Sequence, residues 1–262
     1  MGDYRCFVGF DEVEGARVRL SPPESHHLVS VNRARRGDPV TAFDGRGTEF
    51  DCILEDANGR TAVLRVRASR SCRPLPYAVT LAQALPKGKT FDAIVRQATQ
   101  IGAMRIAPLL TERTEVRLDP KRRDHKDEKW HAAAVEAAKQ SGNPFIPEIT
   151  PVESLASFLE NREPYDLKLL AGLVPQARPL CEYLPDAVRG TPEAPCRVAW
   201  LVGPEGDFSP EEVEAALAHG FQPVTLGPCV LRVETAALVA LSISGYELGR
   251  RLGEEGREKE ES

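Results

Sequence analysis

The alternation of apolar and polar positions changes character part-way along the chain. Before Ser69 it reads as strands. Ala62, Leu64, Val66 and Ala68 alternate with Val63, Arg65 and Arg67, the period-two pattern of a half-buried strand. Thr48 to Leu54 mixes the same alternation with apolar residues, and Asp44-Gly45-Arg46-Gly47 and Asn58-Gly59 supply turns. Short strands at regular spacing predict a small barrel. Ser69 to Pro76 combines proline with polar residues and reads as a linker. Beyond it, strand and helix patterns take turns. Ala78–Ala84, Ile106–Leu110, Leu167–Ala171, Val198–Val202 and Pro223–Leu226 predict strands. Phe91, Ile94, Val95, Ala98 and Ile101 share one helical face closed by Gly102. Trp130–Gln140 and Thr235–Leu252 predict further helices. That rhythm predicts an α/β domain with a mainly parallel sheet. The expected organisation is therefore a β-barrel over residues 1–72, an α/β domain over 73–252, and a tail over 253–262. The tail holds five Glu, one Arg and one Lys, which suits a solvated, disordered segment.

One stretch, Trp200 to Ala240, organises the second domain. The run Val198-Ala199-Trp200-Leu201-Val202 is continuously apolar, as a strand buried on both faces should be. Gly203-Pro204-Glu205-Gly206 follows, and its glycines let the backbone turn sharply against a ligand. Ser209-Pro210-Glu211-Glu212 then starts a helix with Ser as N-cap and Glu three residues on, ending near Gly220. A second strand leads to a second turn, Leu226-Gly227-Pro228. Two strand ends with glycine turns point to one ligand site built from backbone. The first turn has neither dinucleotide-loop nor P-loop spacing, and Glu205 would repel phosphate beside it. A nucleoside-type ligand without phosphates fits better. Arg232 and Glu234, at the start of the last helix, face either a ligand or each other.

Charge and chemistry refine this picture. The net charge is −5, yet residues 1–76 carry a balance of +1. Arg33, Arg35 and Arg36 project charge in more than one direction, and Arg46 sits in a glycine turn; both suit phosphate contacts. A second basic stretch, Lys121-Arg122-Arg123 with Lys126, is interleaved with acids and reads as solvated surface. His26 and His27 would point to opposite faces of a strand, and the other histidines have no nearby cysteine, so no metal is expected. The six cysteines form no CxxC pair and are expected as reduced thiols of a cytoplasmic protein. No apolar run approaches the roughly 18–20 residues of a membrane helix, and no signal-type apolar region follows Met1.

The segments LVGPEGDFSPEEVEAA and LGPCVLRVETAAL resemble the two C-terminal signatures of the bacterial 16S ribosomal RNA uridine-N3 methyltransferases, members of the SPOUT superfamily. LAQALPKGKTFDAIVRQATQIGAMRIAPLLTERTEV and EKWHAAAVEAAKQSGNPFIPEI are similar to the entry and middle of that family's catalytic domain. HHLVSVNRARRGDPVTAFDGRGTEF is similar to its PUA-like N-terminal barrel. The likeness runs through nearly the whole chain in family order. Three positions depart from it. Asp207 stands where the family reads GPEGG, Val233 where it reads LRTETA, and Val31-Asn32-Arg33 where it reads VLR.

The resemblance implies S-adenosylmethionine as methyl donor, bound in a deep trefoil knot of the C-terminal α/β domain. It also implies a homodimer and, as partner, the 16S RNA of the small ribosomal subunit. Ala171, Gly172, Leu201, Val202, Gly203, Glu205, Gly206, Leu226, Gly227, Leu231 and Arg232 would then surround the cofactor. Arg232, Glu205 and Glu234 would be the catalytic candidates, and Arg33, Arg35, Arg36 and Arg46 would grip RNA. Two rivals stand beside this reading: a SPOUT enzyme acting on ribose 2′-hydroxyls or transfer RNA, and a non-catalytic RNA-binding assembly factor. A hydrolase lacks the nucleophile motif it would need.

Overall fold

The computed structural model describes residues 4–9, 13–116, 123–161, 163–184 and 189–260. The Lys121-Arg122-Arg123 segment lies outside them, apart from the backbone of Arg123. The chain forms two compact units, one of Met1–Pro74 with Val135–Ile146 and one of Leu75–Ala134 with Pro147–Ser262.

The first unit is a curled sheet of β1 (Tyr4–Phe7), β2 (Val13–Glu14), β3 (Arg17–Arg19), β4 (Pro39–Phe43), β5 (Thr48–Asp56) and β6 (Val63–Ser71). Its order is β1-β4-β5-β6-β3-β2. The alternation has the consequence expected of it: Val18, Val40, Ala42, Cys52, Leu54 and Leu64 point inward and are buried. Leu28 closes the same core from a helical segment, α1 (Pro22–His26) followed by a π-type turn (His27–Val31). The two histidines therefore lie on a helical turn and not on a strand. Ser21-Pro22-Pro23 explains this, because proline presets the first-turn dihedral.

A charged cluster sits inside this unit. The Lys139 ammonium donates to Glu24 Oε1 and Glu136 Oε1, each at 2.9 Å, and lies 3.3 Å from His27 Nδ1. The second Glu24 oxygen accepts the Phe7 amide at 3.1 Å. Burial opposes the charge on Lys139, but the two carboxylates outweigh it and its pKa rises. The nearby Cys6 thiol is pushed up to about 12, mainly by burial, so it stays protonated.

The second unit holds the parallel sheet. Its strands are β7 (Tyr77–Ala84), β8 (Arg105–Leu110), β9 (Glu148–Ile149), β10 (Glu153–Ser154), β11 (Leu167–Ala171), β12 (Cys196–Val202) and β13 (Gln222–Val224). The order is β10-β8-β7-β12-β11-β13, with β9 also on β8, and every pairing is parallel. The helices are α2 (Thr90–Ile101), α3 (Arg123–Ser141), α4 (Leu155–Glu160), α5 (Pro210–Ala218) and α6 (Val233–Glu260). Gly102, at a φ of 92°, ends α2 as a left-handed cap. Ser209 and Glu212 form a reciprocal capping box on α5.

Strand β12 is covered on both faces. Ala199 and Leu201 pack with α4 and α5 residues such as Phe158 and Ala216. Trp200, on the other face, is fully buried, and its indole N–H donates to Ser244 Oγ of α6 at 2.7 Å. A buried indole needs such a partner. Edge strand β13 is protected: the Arg178 backbone bridges to Val224, and Tyr183 Oη donates to Pro223 O at 2.8 Å.

Two ranges differ from the sequence pattern. Helix α3 begins at Arg123, ahead of the alanine-rich stretch that signalled it, and its later half belongs to the first unit. Helix α6 runs to Glu260, so the backbone of 253–260 is helical where a disordered tail was expected. Glutamate, lysine and arginine are good helix formers, and a helix already nucleated on the sheet extends at low cost.

Replacing Lys139 by Met leaves Glu24 buried without its cation. The expected loss is about 3–5 kcal/mol, read as a lower urea midpoint at unchanged slope.

Candidate cofactor-binding site

Each parallel strand ends on the same side of the sheet, and the loops that leave β11, β12 and β13 surround a cavity of about 460 Å³. Ala171, Gly172 and Leu173 come from the first, Val202 to Glu205 and Asp207 from the second, and Thr225 to Gly227 from the third. Cys229 to Glu234 and Ala236 close the wall at the start of α6, and Thr90 adds the start of α2. Crevices at the carboxyl ends of parallel strands are where such folds bind ligands.

The first turn is held from several sides. The buried Gln83 amide donates to Val202 O and Gly203 O at 3.2 and 3.3 Å. Glu205 accepts the Lys87 amide at 3.0 Å, and Arg113 donates to Gly206 O at 2.8 Å. Asp207 adopts a left-handed φ of 58°, which Asp tolerates better than most side chains and Gly tolerates best. Its carboxylate accepts the Phe208 amide at 2.8 Å and the Leu173 amide at 3.3 Å, tying the β12 loop to the β11 loop. A Cβ on Gly203 would lie 2.9 Å from Asp207 Oδ1 and 3.2 Å from its Cα. Glycine at 203 is required by that approach.

Most of the residues singled out from the sequence meet here. Ala171, Gly172, Val202, Gly203, Glu205, Leu226, Gly227, Leu231, Arg232 and Glu234 all line the cavity. Among the described residues, no hydrogen bond or ion pair joins Arg232 to Glu234. Leu201 and Gly206 are placed elsewhere. Leu201 alternates onto the α4–α5 face and belongs to that core, whereas Gly206 is exposed beneath Arg113. In the first unit, Ala34 is buried as a peg while Arg33, Arg35 and Arg36 are exposed around it, Arg33 with a φ of 59°. Arg46 is exposed in its turn, its backbone bridged to Phe145.

A family model described as an RNA methyltransferase domain matches residues 73–245, and one described as an RNA methyltransferase PUA domain matches 20–67. The curated ribosomal RNA small subunit methyltransferase E of Synechocystis sp. is 36% identical over 91% of this chain and 76% of its own length. This chain belongs to that RNA methyltransferase family.

Solved structures agree. A Legionella pneumophila protein in complex with the bound cofactor SAM matches with a TM-score of 0.85 and 30% identity, covering 94% of this chain and 98% of that one. A ribosomal RNA small subunit methyltransferase E of Neisseria gonorrhoeae, bound to S-adenosyl methionine, matches with a TM-score of 0.82 and 25% identity, over 94% and 98% of the two chains. The expected order, a PUA-type sheet followed by the SPOUT-type α/β domain, is that of the family.

Within this methyltransferase, sequence reasoning missed Leu173, Pro204, Thr225, Cys229, Val230 and Thr90 as lining residues. Proximity in sequence to the glycine turns could have signalled all but Thr90, which only the packing of α2 brings to the wall. Two of the three departures from the family motifs have a place here. Asp207 occupies a backbone conformation that explains a family glycine, and Val233 is buried at the cavity wall, where a methyl group needs no hydrogen-bond partner.

Gly203→Ala should destabilise the protein by about 1–3 kcal/mol through overpacking. Gly172→Ala meets nothing closer than 3.7 Å and should stay within about 0.5 kcal/mol. Adding Asp207→Gly should recover part of the Gly203→Ala loss, seen as positive coupling in a thermal-denaturation double-mutant cycle.

Proposed function

We propose that this chain is an S-adenosylmethionine-dependent methyltransferase that acts on N3 of a uridine in 16S RNA of the small ribosomal subunit. The observation that carries the reading is the cavity at the strand ends, walled by backbone, apolar side chains and the arginine and glutamate that open α6. Its size lies in the range of small-ligand sites. Its character suits the cofactor: the Glu205 carboxylate beside the first turn disfavours a phosphate, and S-adenosylmethionine has none. The first-turn amides of α6 have no intrahelical acceptor and favour a carboxylate. Arg232 beside them supplies a matching cation.

S-adenosylmethionine contributes an electrophilic methyl group on a sulfonium. The protein has three tasks around it. Uridine N3 is protonated and engaged in pairing, so the base must leave its stack before it enters the cavity. Arg232 orients the cofactor carboxylate or the uracil, holding donor and acceptor in line. Glu234 is the candidate to take the N3 proton. Glu205 is the polar anchor, since its carboxylate already holds the Lys87 amide. Ala171, Gly172, Val202, Gly203, Leu226, Gly227 and Leu231 hold the adenosine, with Leu201 and Gly206 supporting the turn from behind.

Residues 1–72 are read as the RNA-gripping module, with Arg33, Arg35, Arg36 and Arg46 on phosphates, and residues 73–252 as the methyltransferase module. The return of α6 from edge strand β13 to pack on β7 and β12 supports a trefoil knot in the latter. Exposed Tyr246 on α6, with Leu173 and Val230 at the cavity mouth, supports a homodimer that covers them. Among the described residues no helix is long and apolar enough to cross a membrane. A ribosomal RNA substrate supports a cytoplasmic enzyme.

The test is methylation of small ribosomal subunits from a strain lacking the enzyme, followed by nucleoside analysis. N3-methyluridine is expected, and a 2′-O-methylated nucleoside or no transfer would overturn the reading. Arg232→Ala should lower kcat by about 10²–10³, and Glu234→Gln by about 10²–10⁴.

A further inference from the structure

We propose that the outer face of β3 and β6 is a second RNA-docking surface, which binds the phosphodiester backbone of the substrate RNA outside the Arg33–Arg36 loop. The proposal rests on the reading that the substrate is ribosomal RNA. Arg17 and Arg65 are direct partners across the β3–β6 ladder, so their side chains share one face. The inward-facing neighbours Val18 and Leu64 are fully buried, which turns these arginines to solvent. Arg19, two residues along β3, joins the same face, and Arg67, the unpaired residue of a bulge in the β5–β6 ladder, is exposed beside it.

Like charges directly opposite one another destabilise a sheet. One carboxylate relieves this pair: Glu55 accepts from Arg17 Nε and Nη2 at 2.9 and 3.0 Å. The charges of Arg65 and Arg36 also reach Glu55. Arg36 is exposed on the loop whose Gly37 amide donates to Leu54 O at 2.8 Å, so the basic loop and the sheet face are continuous. Among the described residues, Arg19, Arg36, Arg65 and Arg67 make no ion pair. Five arginines of this face and the adjoining loop thus stand against Glu55 and the exposed Asp51, which pairs with Ala68 across the β5–β6 ladder.

The chain as a whole carries −5, so concentrating unpaired guanidiniums on one face needs a reason other than solubility. Their spacing supplies one. Arg17 and Arg19 are about 6.7 Å apart along β3, whose register is unbroken, and neighbouring strands lie about 4.8 Å apart. That array can meet several phosphates together, and arginine is the side chain best shaped for them. It holds no aromatic side chain for base stacking, so its contacts are sequence-independent.

The decisive variant is Arg65→Glu with Arg67→Glu, both on exposed positions. Fluorescence anisotropy with labelled small-subunit ribosomal RNA should show affinity reduced at least roughly tenfold near 150 mM salt, and the slope of log K against log salt should shrink by about 2. S-adenosylmethionine affinity and the thermal midpoint should not change. An unaltered RNA affinity and slope would overturn the proposal. So would a loss confined to phosphatidylglycerol vesicles, which would assign the face to a membrane. Wild-type methyl transfer to uridine N3, measured in parallel, separates the two failures. If it is present while the variant binds RNA normally, only this surface is wrong; if it is absent, the functional reading itself fails.

Discussion

The hydrogen bond from Trp200 to Ser244 fixes the geometry on which the site depends. Trp200 lies in the middle of β12 with no solvent exposure, and its N–H is satisfied by one hydroxyl of α6. That hydroxyl donates onward to Ala240 O at 2.9 Å. The largest side chain of the sheet thus locks the last helix at a set position along the strand. Because α6 begins at the cavity wall, its fixed position determines where Arg232 and Glu234 stand relative to the turn after β12. A looser contact would leave those two residues on an unanchored helix end.

The second constraint is burial of β12 on both faces. Alternation sends Trp200 and Val202 toward α6 and the cavity, and Ala199 and Leu201 toward α4 and α5. The strand can therefore end only in a turn that leaves the sheet at once, and Gly203 is where it does. Asp207, Gln83, Glu205 and Arg113 then tie that turn to its neighbours. The site is rigid because several loops hold one another, each through backbone groups. Such a frame binds a cofactor through shape and main-chain hydrogen bonding and leaves few side chains for chemistry.

The two units divide charge as well as structure. The cavity unit meets a small molecule, whereas the curled sheet presents arginines on its loop and its outer strands. An acidic protein can still engage RNA when its cations are gathered on one face and its carboxylates lie elsewhere. The buried Lys139–Glu24 pair follows the opposite logic. It holds α3 into the first unit through charges withdrawn from solvent.

By itself the sequence determined the period of the main strands of the parallel sheet and of α2, α5 and α6, and with it their strand or helix type. It also determined the capping box of α5 and the glycine turns that mark the cavity. These are local properties: a few consecutive residues set dihedrals, caps and alternation, and in these elements tertiary context did not override them. The helical turn at His26-His27 was local too, but the proline signal before it was outweighed by the strand pattern around it. Only the tertiary structure decided the rest. Leu201 and Val202 are equally apolar neighbours, and which one faces a ligand depends on what packs against each side of the strand. Gly206 reads like Gly203, yet Arg113 lies against one and Asp207 against the other. Arg17 and Arg65 are far apart in sequence, and only strand register brings them opposite each other. Pairwise proximity between distant segments is what a one-dimensional pattern does not carry.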